Sequence, residues 1–249
     1  MISYLKKNKI IVTGGSGRFG KILIKKNYKN FFFPLKKQLN ILNLSSIKNY
    51  IKKNKPSKIL HLAGLSRPLK IHDEDPSKSI LLNIVGTSNL AIMCQKFNIK
   101  LIYFSTSYVY PGIKGNYKET DNLYPRSNYA WSKLGGEAAV HMIKKSLILR
   151  VCMTEKPFVH DYALSDIYLN FIFQENIADF LPYLINRSGI INIGGLKRTV
   201  YEFAKISNPK VKKILAKKVK DVKYRKNMSM NIDKLKKIIK KNKNLLKKL

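Results

Sequence analysis

This chain of 249 residues contains little cysteine, tryptophan, arginine or acid. Its two cysteines, Cys94 and Cys152, lie in apolar surroundings without metal-type spacing, which argues against a disulfide framework and fits a reducing cytosol. No run approaches the roughly eighteen apolar residues that a membrane span needs. The first residues also lack the apolar stretch of a signal peptide, so we expect a cytoplasmic protein without a membrane span.

Acidic residues are scarce, since 14 Asp and Glu stand against 49 Lys and Arg, a formal charge of +35. A charge of this size invites a nucleic-acid-binding interpretation. However, only seven of the basic residues are Arg, and the lysines occur with abundant Asn and Ile, which also have A/T-rich codons. Because nucleic-acid surfaces favour the forked guanidinium of Arg, we interpret the charge as codon bias and expect no nucleic-acid partner.

The basic residues are densest in residues 210–249, which carry seventeen Lys or Arg against two Asp. Apolar residues recur there at helical spacing between the lysines, and they predict a basic amphipathic helix: Ile232, Leu235, Ile238, Ile239, Leu245, Leu246 and Leu249. We favour a helix that docks by its apolar face and exposes its lysines. Attachment of this helix to anionic lipid or RNA is the alternative.

Short apolar segments alternate with helical stretches along the first half of the chain. The segments that predict strands are 9–12, 31–33, 58–63, 101–104 and 147–149. Helical spacing of apolar residues marks 45–53 and 77–97, and a further helix precedes the last strand. Strands separated by helices of this length predict an α/β fold with a doubly wound parallel sheet.

A glycine-rich loop follows the first predicted strand and opens a helix. Gly14, Gly17 and Gly20 are spaced as G-x-x-G-x-x-G, and Gly15 with the last two also fits G-x-G-x-x-G. Such glycines let the backbone approach a pyrophosphate, which binds at the N-terminus of the helix. The loop therefore predicts a dinucleotide site, with a simple tight turn as the alternative.

The acidic residue that commonly ends the second strand and holds the ribose of NAD is missing. Residues 34–37 read Pro-Leu-Lys-Lys at this place, and Arg18 lies in the glycine loop. A cation at either position can bind the 2′-phosphate of NADP. The sequence therefore favours NADP(H) over NAD(H).

A Tyr and a Lys stand four residues apart in the predicted helical stretch Tyr129-Ala130-Trp131-Ser132-Lys133. A phenol, with an ordinary pKa of about 10, protonates an alkoxide well only if a nearby cation lowers that pKa. Lys133, one helical turn on, supplies such a cation. Thr106 follows a predicted strand, where parallel sheets place their ligands, and its hydroxyl can polarise the same oxygen. An ordinary helix-surface pair is the alternative.

Histidines offer little more, because His61 ends an apolar strand and is interpreted as a core residue, while the others lack the spacing of zinc ligands. We therefore predict no metal site.

The chain resembles the extended short-chain dehydrogenases/reductases, a family of nucleotide-sugar epimerases, dehydratases and reductases. The motifs that carry the resemblance, in order and approximate spacing, are TGGSGRFG at 13–20, HLAG at 61–64, NIVGT at 83–87, FSTSYVY at 104–110 and YAWSK at 129–133. The match covers residues 8 to about 151. Fainter similarity at 189–195, 199–204 and 230–235 is to the dTDP-4-dehydrorhamnose reductase-like members.

The resemblance implies a Rossmann-type NAD(P)-binding domain over residues 1–151, with a reduced substrate lobe over 152–249 packed on it as one unit. It implies that Tyr129 is the catalytic acid/base, Lys133 its partner and Thr106 a hydrogen-bond partner of the reacting oxygen. The cofactor-binding residues it implies are Gly14, Gly17, Arg18, Phe19, Gly20, Asn43, Leu62, Ala63, Gly64, Ser105, Tyr129 and Lys133. It also allows a homodimer through helices around 77–98 and 129–146.

Departures from the family pattern narrow the implied reaction. Dehydratases of this family carry an Asp-Glu pair directly after the Thr, where this chain has Ser107 and Tyr108. The resemblance therefore favours reduction of a nucleotide-linked 4-keto sugar, with 4-epimerisation or a non-catalytic NAD(P)-binding module as alternatives. After Arg150 the family pattern is lost, so we name only Ser66, Arg67 and Cys152 as substrate contacts.

Overall fold

The protein is described here from a computed structural model that covers residues 9–219 and 226–249. Its strands are β1 (Ile10–Thr13), β2 (Phe31–Phe32), β3 (Lys58–His61), β4 (Lys100–Thr106), β5 (Ser146–Val151), β6 (Met153–Thr154), β7 (Tyr162–Leu164), β8 (Tyr168–Leu169), β9 (Ile172–Phe173), β10 (Gly189–Ile193), β11 (Arg198–Thr199) and β12 (Lys212–Ile214). Its α-helices span Arg18–Lys26, Leu44–Asn54, Ile71–Glu74, Pro76–Ser79, Gly86–Lys96, Asn128–His141, Gln174–Leu184, Val200–Lys205, Asp233–Ile239 and Lys243–Leu246.

Six strands form a central sheet in the order β10-β5-β4-β3-β1-β2. β1 pairs in parallel with both β2 and β3, and β3 pairs in parallel with β4. Ile10, Ile11 and Val12 of β1 are completely buried, as expected of a strand covered on both faces of its sheet. The predicted Rossmann-type α/β fold is confirmed.

The order of the strands reverses at β1. The chain leaves β1 for β2 on one side, then crosses to β3 on the other side. Ligands of open parallel sheets bind outside the carboxyl ends of the strands at such a reversal. The glycine loop follows the carboxyl end of β1 and therefore lies at this point of the sheet.

The long helix predicted over 77–97 is interrupted. A π-helix, Ile80–Val85, separates Pro76–Ser79 from Gly86–Lys96. π-helical turns are rare in proteins, and those that occur inside α-helices often lie near functional sites. Asn83 lies within this segment and is 1% exposed, which brings a polar side chain into the core.

The chain divides into two compact units that interleave along the sequence. The first unit comprises the described residues within 1–105, 127–149 and 187–189, and the second comprises those within 106–126, 150–186 and 190–249. The continuous division at residue 151 stays a prediction, as does the packing of the two domains as one body.

The second unit contains short strand pairs and the basic end of the chain. β8 pairs with β11 antiparallel, while β7 with β12 and β6 with β9 pair in parallel. The predicted single basic helix is divided into Asp233–Ile239 and Lys243–Leu246, since Asn242 caps the second helix by accepting from the Leu245 N–H. Leu235, Ile239 and Leu245 are buried, as docking by the apolar face requires.

Among the described helices, none has the length and apolar character needed to cross a membrane.

Candidate functional site: a dinucleotide loop and a Tyr-Lys helix

The glycine loop is closely packed and depends on its glycines. Gly14 has a φ of 75°, and a Cβ there would lie 2.6 Å from the Ala63 nitrogen. A Cβ at Gly20 would lie 2.5 Å from the carbonyl oxygens of both Gly14 and Gly15. The Gly17 N–H donates to the Gly14 carbonyl at 3.0 Å and closes the turn. Side chains at positions 14 and 20 are therefore incompatible with this turn.

The helix that follows is suited to an anion. Gly17 caps its N-terminus and has no side chain to accept from the first-turn N–H groups, and the first turn contains no acidic residue. Ser16, Gly17 and Arg18 are exposed. Uncapped N–H groups and the positive end of the helix dipole favour a phosphate at this place. These features fit the pyrophosphate of a dinucleotide.

The predicted segment 62–64 lies beside the glycine loop. The Leu62 N–H donates to the Thr13 carbonyl at 3.2 Å, and the Ala63 N–H donates to the Thr13 hydroxyl at 3.3 Å. β3 ends at His61, two residues earlier than its sequence indicates, and its register with β1 ends there at the Thr13–His61 pair.

Other residues predicted for cofactor or substrate lie on the surface of the first unit. Asn43 is exposed, and its side-chain oxygen caps the Leu44–Asn54 helix by accepting from the Ser46 N–H at 2.8 Å. Ser66 and Arg67 are also exposed. Phe19, in contrast, is 6% exposed and packs against Phe104 with ring centres 5.2 Å apart. The ligand roles of these residues stay predictions.

His61 is a core residue, as its sequence context indicates. It is 1% exposed, with Nδ1 at 2.8 Å from the Thr13 hydroxyl and Nε2 at 3.0 Å from the Thr87 hydroxyl. Burial lowers the pKa of His61 to about 3, and the nearby charge of Lys133 adds to this effect. The imidazole is therefore neutral near pH 7 and links the end of β1 to the Gly86–Lys96 helix.

Tyr129 lies in the first turn of the helix that carries the predicted Tyr-Lys pair. Ser127 caps this helix by accepting from the Ala130 N–H at 3.3 Å. Tyr129 is half-buried, and the His72 ring meets its ring edge-on with centres 5.0 Å apart. His72 is buried, and its Nδ1 lies 2.6 Å from the Ser79 hydroxyl. Burial lowers the pKa of His72, so a neutral ring packs against Tyr129 near pH 7.

Lys133 lies one turn along the same helix, over an aromatic ring. Its Nζ is 4.1 Å from the centre of the Tyr103 ring, a cation–π contact. The Tyr103 hydroxyl donates to the Lys133 carbonyl at 3.0 Å, and Tyr103 itself is completely buried. Burial lowers the pKa of Lys133 to about 7, while the Glu137 carboxylate opposes this change. Lys133 therefore loses its proton at a lower pH than an ordinary lysine does.

A buried amide connects this helix to the loop after β3. The Asn83 side chain accepts from the Leu65 N–H at 2.7 Å and donates to the Leu65 carbonyl at 2.8 Å. It also donates to the Ser132 hydroxyl at 2.9 Å, and that hydroxyl donates to the Tyr129 carbonyl at 2.8 Å. Asn83 belongs to the NIVGT motif, but the sequence does not indicate that its side chain bonds to Leu65 and Ser132.

The first unit thus brings together the glycine loop, the 62–64 segment and the Tyr-Lys helix. In the same unit, Ser105 is buried and its hydroxyl donates to Glu137 Oε2 at 2.6 Å. Sequence reasoning missed Glu137, Tyr103 and His72 at this place. The helical spacing of four residues from Lys133 is a sequence signal for Glu137, whereas Tyr103 and His72 have no such local signal.

Thr106 and Cys152 belong to the second unit. Thr106 is 5% exposed, and its hydroxyl accepts from the Tyr108 N–H at 3.3 Å. Burial raises the pKa of Cys152 to about 12, so this thiol is not a nucleophile near neutral pH. In the same unit, the buried Arg150 donates to the Tyr110 hydroxyl at 2.8 Å and to the Glu119 carbonyl at 3.0 Å. The roles of Thr106 and Cys152 at a site stay predictions.

Known proteins resemble this chain in sequence and in fold. It is 32% identical over 152 residues to methionine adenosyltransferase 2 subunit beta of Xenopus tropicalis, covering 57% of this chain and 45% of that protein. It is 30% identical over 160 residues to GDP-6-deoxy-D-talose 4-dehydrogenase of Aggregatibacter actinomycetemcomitans, covering 60% of this chain and 52% of the relative. The chain spans about half the length of these curated relatives.

Solved structures share the fold over nearly the whole chain. The crystal structure of dTDP-4-dehydrorhamnose reductase from Bacillus anthracis, in complex with NADP, superposes with a TM-score of 0.81 at 22% identity and covers 92% of both chains. The family model described as the RmlD substrate binding domain matches residues 8–154. This match confirms the resemblance drawn from the sequence motifs. Because it covers more than half of the chain, the protein belongs to the RmlD substrate binding domain family.

Proposed function

We propose that this protein is an NAD(P)-dependent oxidoreductase that reduces the 4-keto group of a nucleotide-linked sugar. The observation that carries the proposal is the placement of Tyr129 and Lys133 one turn apart on the Asn128–His141 helix, in the same unit as the glycine loop. A dinucleotide loop alone indicates binding. The added Tyr-Lys pair supplies the proton that reduction of a carbonyl requires.

The chain's own residues have distinct tasks in this reaction. Tyr129 donates its phenolic proton to the developing alkoxide, and the Lys133 ammonium lowers the pKa of that phenol. Thr106, by family resemblance, donates a hydrogen bond to the same oxygen. When bound, NAD(P)H supplies the hydride. Lys133 also holds the ribose of the cofactor in this proposal.

We place the dinucleotide along the glycine loop, because this loop has the uncapped helix N-terminus that a pyrophosphate needs. Segment 62–64 and Ser105 complete the cofactor contacts in our proposal.

The surface cations of the first unit favour NADP(H) over NAD(H). Arg18, Lys36 and Lys37 are exposed, and residues 34–37 contain no acid that could hold the ribose of NAD. The Bacillus anthracis neighbour was solved with NADP.

The relatives in sequence support two kinds of function. The talose dehydrogenase relative supports oxidoreductase chemistry at the sugar 4-position, from which 4-epimerisation differs by returning the hydride to the same carbon. The similarity to methionine adenosyltransferase 2 subunit beta supports a second candidate, an NAD(P)-binding subunit of another enzyme without turnover of its own. Tyr129 and Lys133 favour the first kind, because a binding subunit has no need of a proton donor.

A substrate screen separates these functions. Purified protein is mixed with nucleotide-linked 4-keto sugars and either NADPH or NADH, and absorbance of the reduced cofactor is followed. We expect cofactor oxidation that depends on the sugar and is faster with NADPH. In a parallel assay with 4-hydroxy nucleotide sugars and oxidised NAD(P)+, inversion at C4 without net cofactor consumption would identify an epimerase. Cofactor binding in calorimetry without turnover of any sugar would instead support the non-catalytic subunit.

A further inference from the structure

Glu137 is a buried acid without an assigned task. Its side chain belongs to the Asn128–His141 helix, one turn after Lys133, and the residue is only 3% exposed. Ionised carboxylates are rarely buried to this extent unless a cation or several donors compensate for lost hydration. The surroundings of Glu137 therefore indicate what the carboxylate does.

The carboxylate is held from the sheet side by a hydroxyl. Ser105, the next-to-last residue of β4, donates to Glu137 Oε2 at 2.6 Å. This hydrogen bond fixes the direction of the carboxylate. Because residues four apart share one face of a helix, the fixed carboxylate is on the face of Lys133.

Lys133 is surrounded by groups from three elements of the first unit. Its own helix contributes Tyr129 and Glu137, β4 contributes Tyr103, and β3 contributes His61. Burial keeps His61 neutral and raises the pKa of Tyr103 well above its ordinary value, so neither carries charge near pH 7. Among these groups, the Glu137 carboxylate supplies the negative charge that opposes the loss of the Lys133 proton.

We propose that Glu137 is a positioning residue that keeps Lys133 in its ammonium form, through a carboxylate fixed by the Ser105 hydroxyl. This inference rests on the proposed function, in which Lys133 must be charged to make Tyr129 a better acid. Glu137 touches neither the reacting atoms nor the cofactor in this account. It acts through Lys133 by offsetting part of the hydration that the buried ammonium has lost.

The direct test measures the protonation of Lys133 without any turnover. The full chain, free of cofactor, is treated with trace acetic anhydride across a pH series, and peptide mass spectrometry quantifies acetylation of Lys133, which reacts only as the neutral amine. In Glu137→Gln we expect the midpoint of this reaction to fall by about one pH unit. Glu137→Asp keeps the charge and should recover most of the wild-type midpoint.

Glu74→Gln is the matched control, because it changes the net charge equally at an exposed Lys70–Glu74 pair of the same unit. Its Lys133 midpoint should equal that of the wild type. An unchanged midpoint in Glu137→Gln, or an equal fall in Glu74→Gln, would overturn the inference. If Glu137→Gln does not fold, Ser105→Ala is the second variant. We expect it to lower the Lys133 acetylation midpoint by less than about one pH unit. An unchanged midpoint in Ser105→Ala would then contradict the inference.

Turnover then separates this inference from the proposed function. With an active substrate, the alkaline limb of kcat in Glu137→Gln should move to lower pH together with the acetylation midpoint. A merely structural role of Glu137 would lower kcat at every pH without moving this limb. If the wild type turns over no sugar, the proposed function fails, whereas the acetylation midpoints still decide whether Glu137 holds the charge of Lys133.

Discussion

The Lys133 ammonium lies 4.1 Å from the centre of the Tyr103 ring, and the hydroxyl of that ring donates to the Lys133 carbonyl at 3.0 Å. One buried strand residue thus contacts both the charged end and the backbone of the same lysine. Gly136 makes room for it, since a Cβ there would lie 2.7 Å from the Tyr103 hydroxyl oxygen. The helix that carries the proposed proton donor is therefore fixed to the sheet at Lys133.

Tyr103 substitutions separate its two contacts. Tyr103→Phe keeps the ring and removes one hydrogen bond, which should lower the free energy of unfolding by about 1 kcal/mol. Tyr103→Leu also removes the ring, so it should cost about 3 kcal/mol and lower kcat further than Phe does. Urea unfolding and steady-state kinetics check both values. Phe104→Leu, which removes a neighbouring buried ring of β4 that packs against Phe19, controls for general loosening. Equal kinetic effects of both Leu variants would contradict the role of Tyr103.

Alanine at two positions of the glycine loop should act differently. A Cβ at Gly20 meets two carbonyl oxygens at 2.5 Å, whereas one at Gly17 meets only the Gly14 carbonyl, at 3.2 Å. We expect Gly20→Ala to lower the free energy of unfolding by about 2 kcal/mol and to abolish NADPH binding. Gly17→Ala should change the free energy of unfolding by less than about 1 kcal/mol but should weaken the binding of NADPH. Calorimetry and urea unfolding measure both, and equal stability of the two variants would refute this packing argument.

Replacing Asn83 should lower the free energy of unfolding more than replacing the half-buried Asn89. Asn83→Ala leaves the Leu65 backbone groups and the Ser132 hydroxyl without this partner, which should cost about 3 kcal/mol. Asn89→Ala removes a single bond to the Ile41 carbonyl and should cost about 1 kcal/mol. Thermal and urea unfolding compare them. A smaller loss for Asn83→Ala than for Asn89→Ala would contradict the network.

Most of the sheet was predictable, because buried parallel strands are continuous apolar runs that the sequence shows directly. Segments 101–104 and 147–149 lie inside β4 and β5 as expected. The bounds were less predictable, since β3 ends where Leu62 turns to bond Thr13, a contact 49 residues away in sequence. Likewise, apolar spacing over 77–97 indicates one continuous helix and carries no sign of the π turn around Asn83.

The site was predictable only where local motifs define it. The glycine loop and the YAWSK stretch have short-range spacing with chemical meaning, so the sequence indicated Gly14, Gly20, Tyr129 and Lys133. The groups around Lys133 come from elsewhere in the chain. Tyr103 looks like an ordinary strand residue, and only the packing of the Asn128–His141 helix against β4 shows that it lies under an ammonium.

His61 should give the protein a measurable pH dependence of stability. Its pKa falls from 6.5 to about 3 on folding, so below pH 6.5 the unfolded chain binds a proton that the folded chain excludes. This difference lowers the free energy of unfolding by about 1.4 kcal/mol for each pH unit below 6.5 until the folded pKa is reached. His61→Gln removes the effect, so the stability difference between the two proteins should shrink as the pH falls. Urea unfolding between about pH 6.5 and 4.5 measures this, and a constant difference would contradict a buried neutral His61.

The most direct test of the account is the rate of NADPH oxidation by Tyr129→Phe with the active nucleotide-linked 4-keto sugar, measured beside calorimetric NADPH binding. Tyr124→Phe, at an exposed tyrosine, is the matched control. We predict that Tyr129→Phe loses at least about 100-fold in kcat and binds NADPH with the affinity of the wild type. Equal kcat in Tyr129→Phe and the wild type would contradict the assignment of Tyr129 as the proton donor.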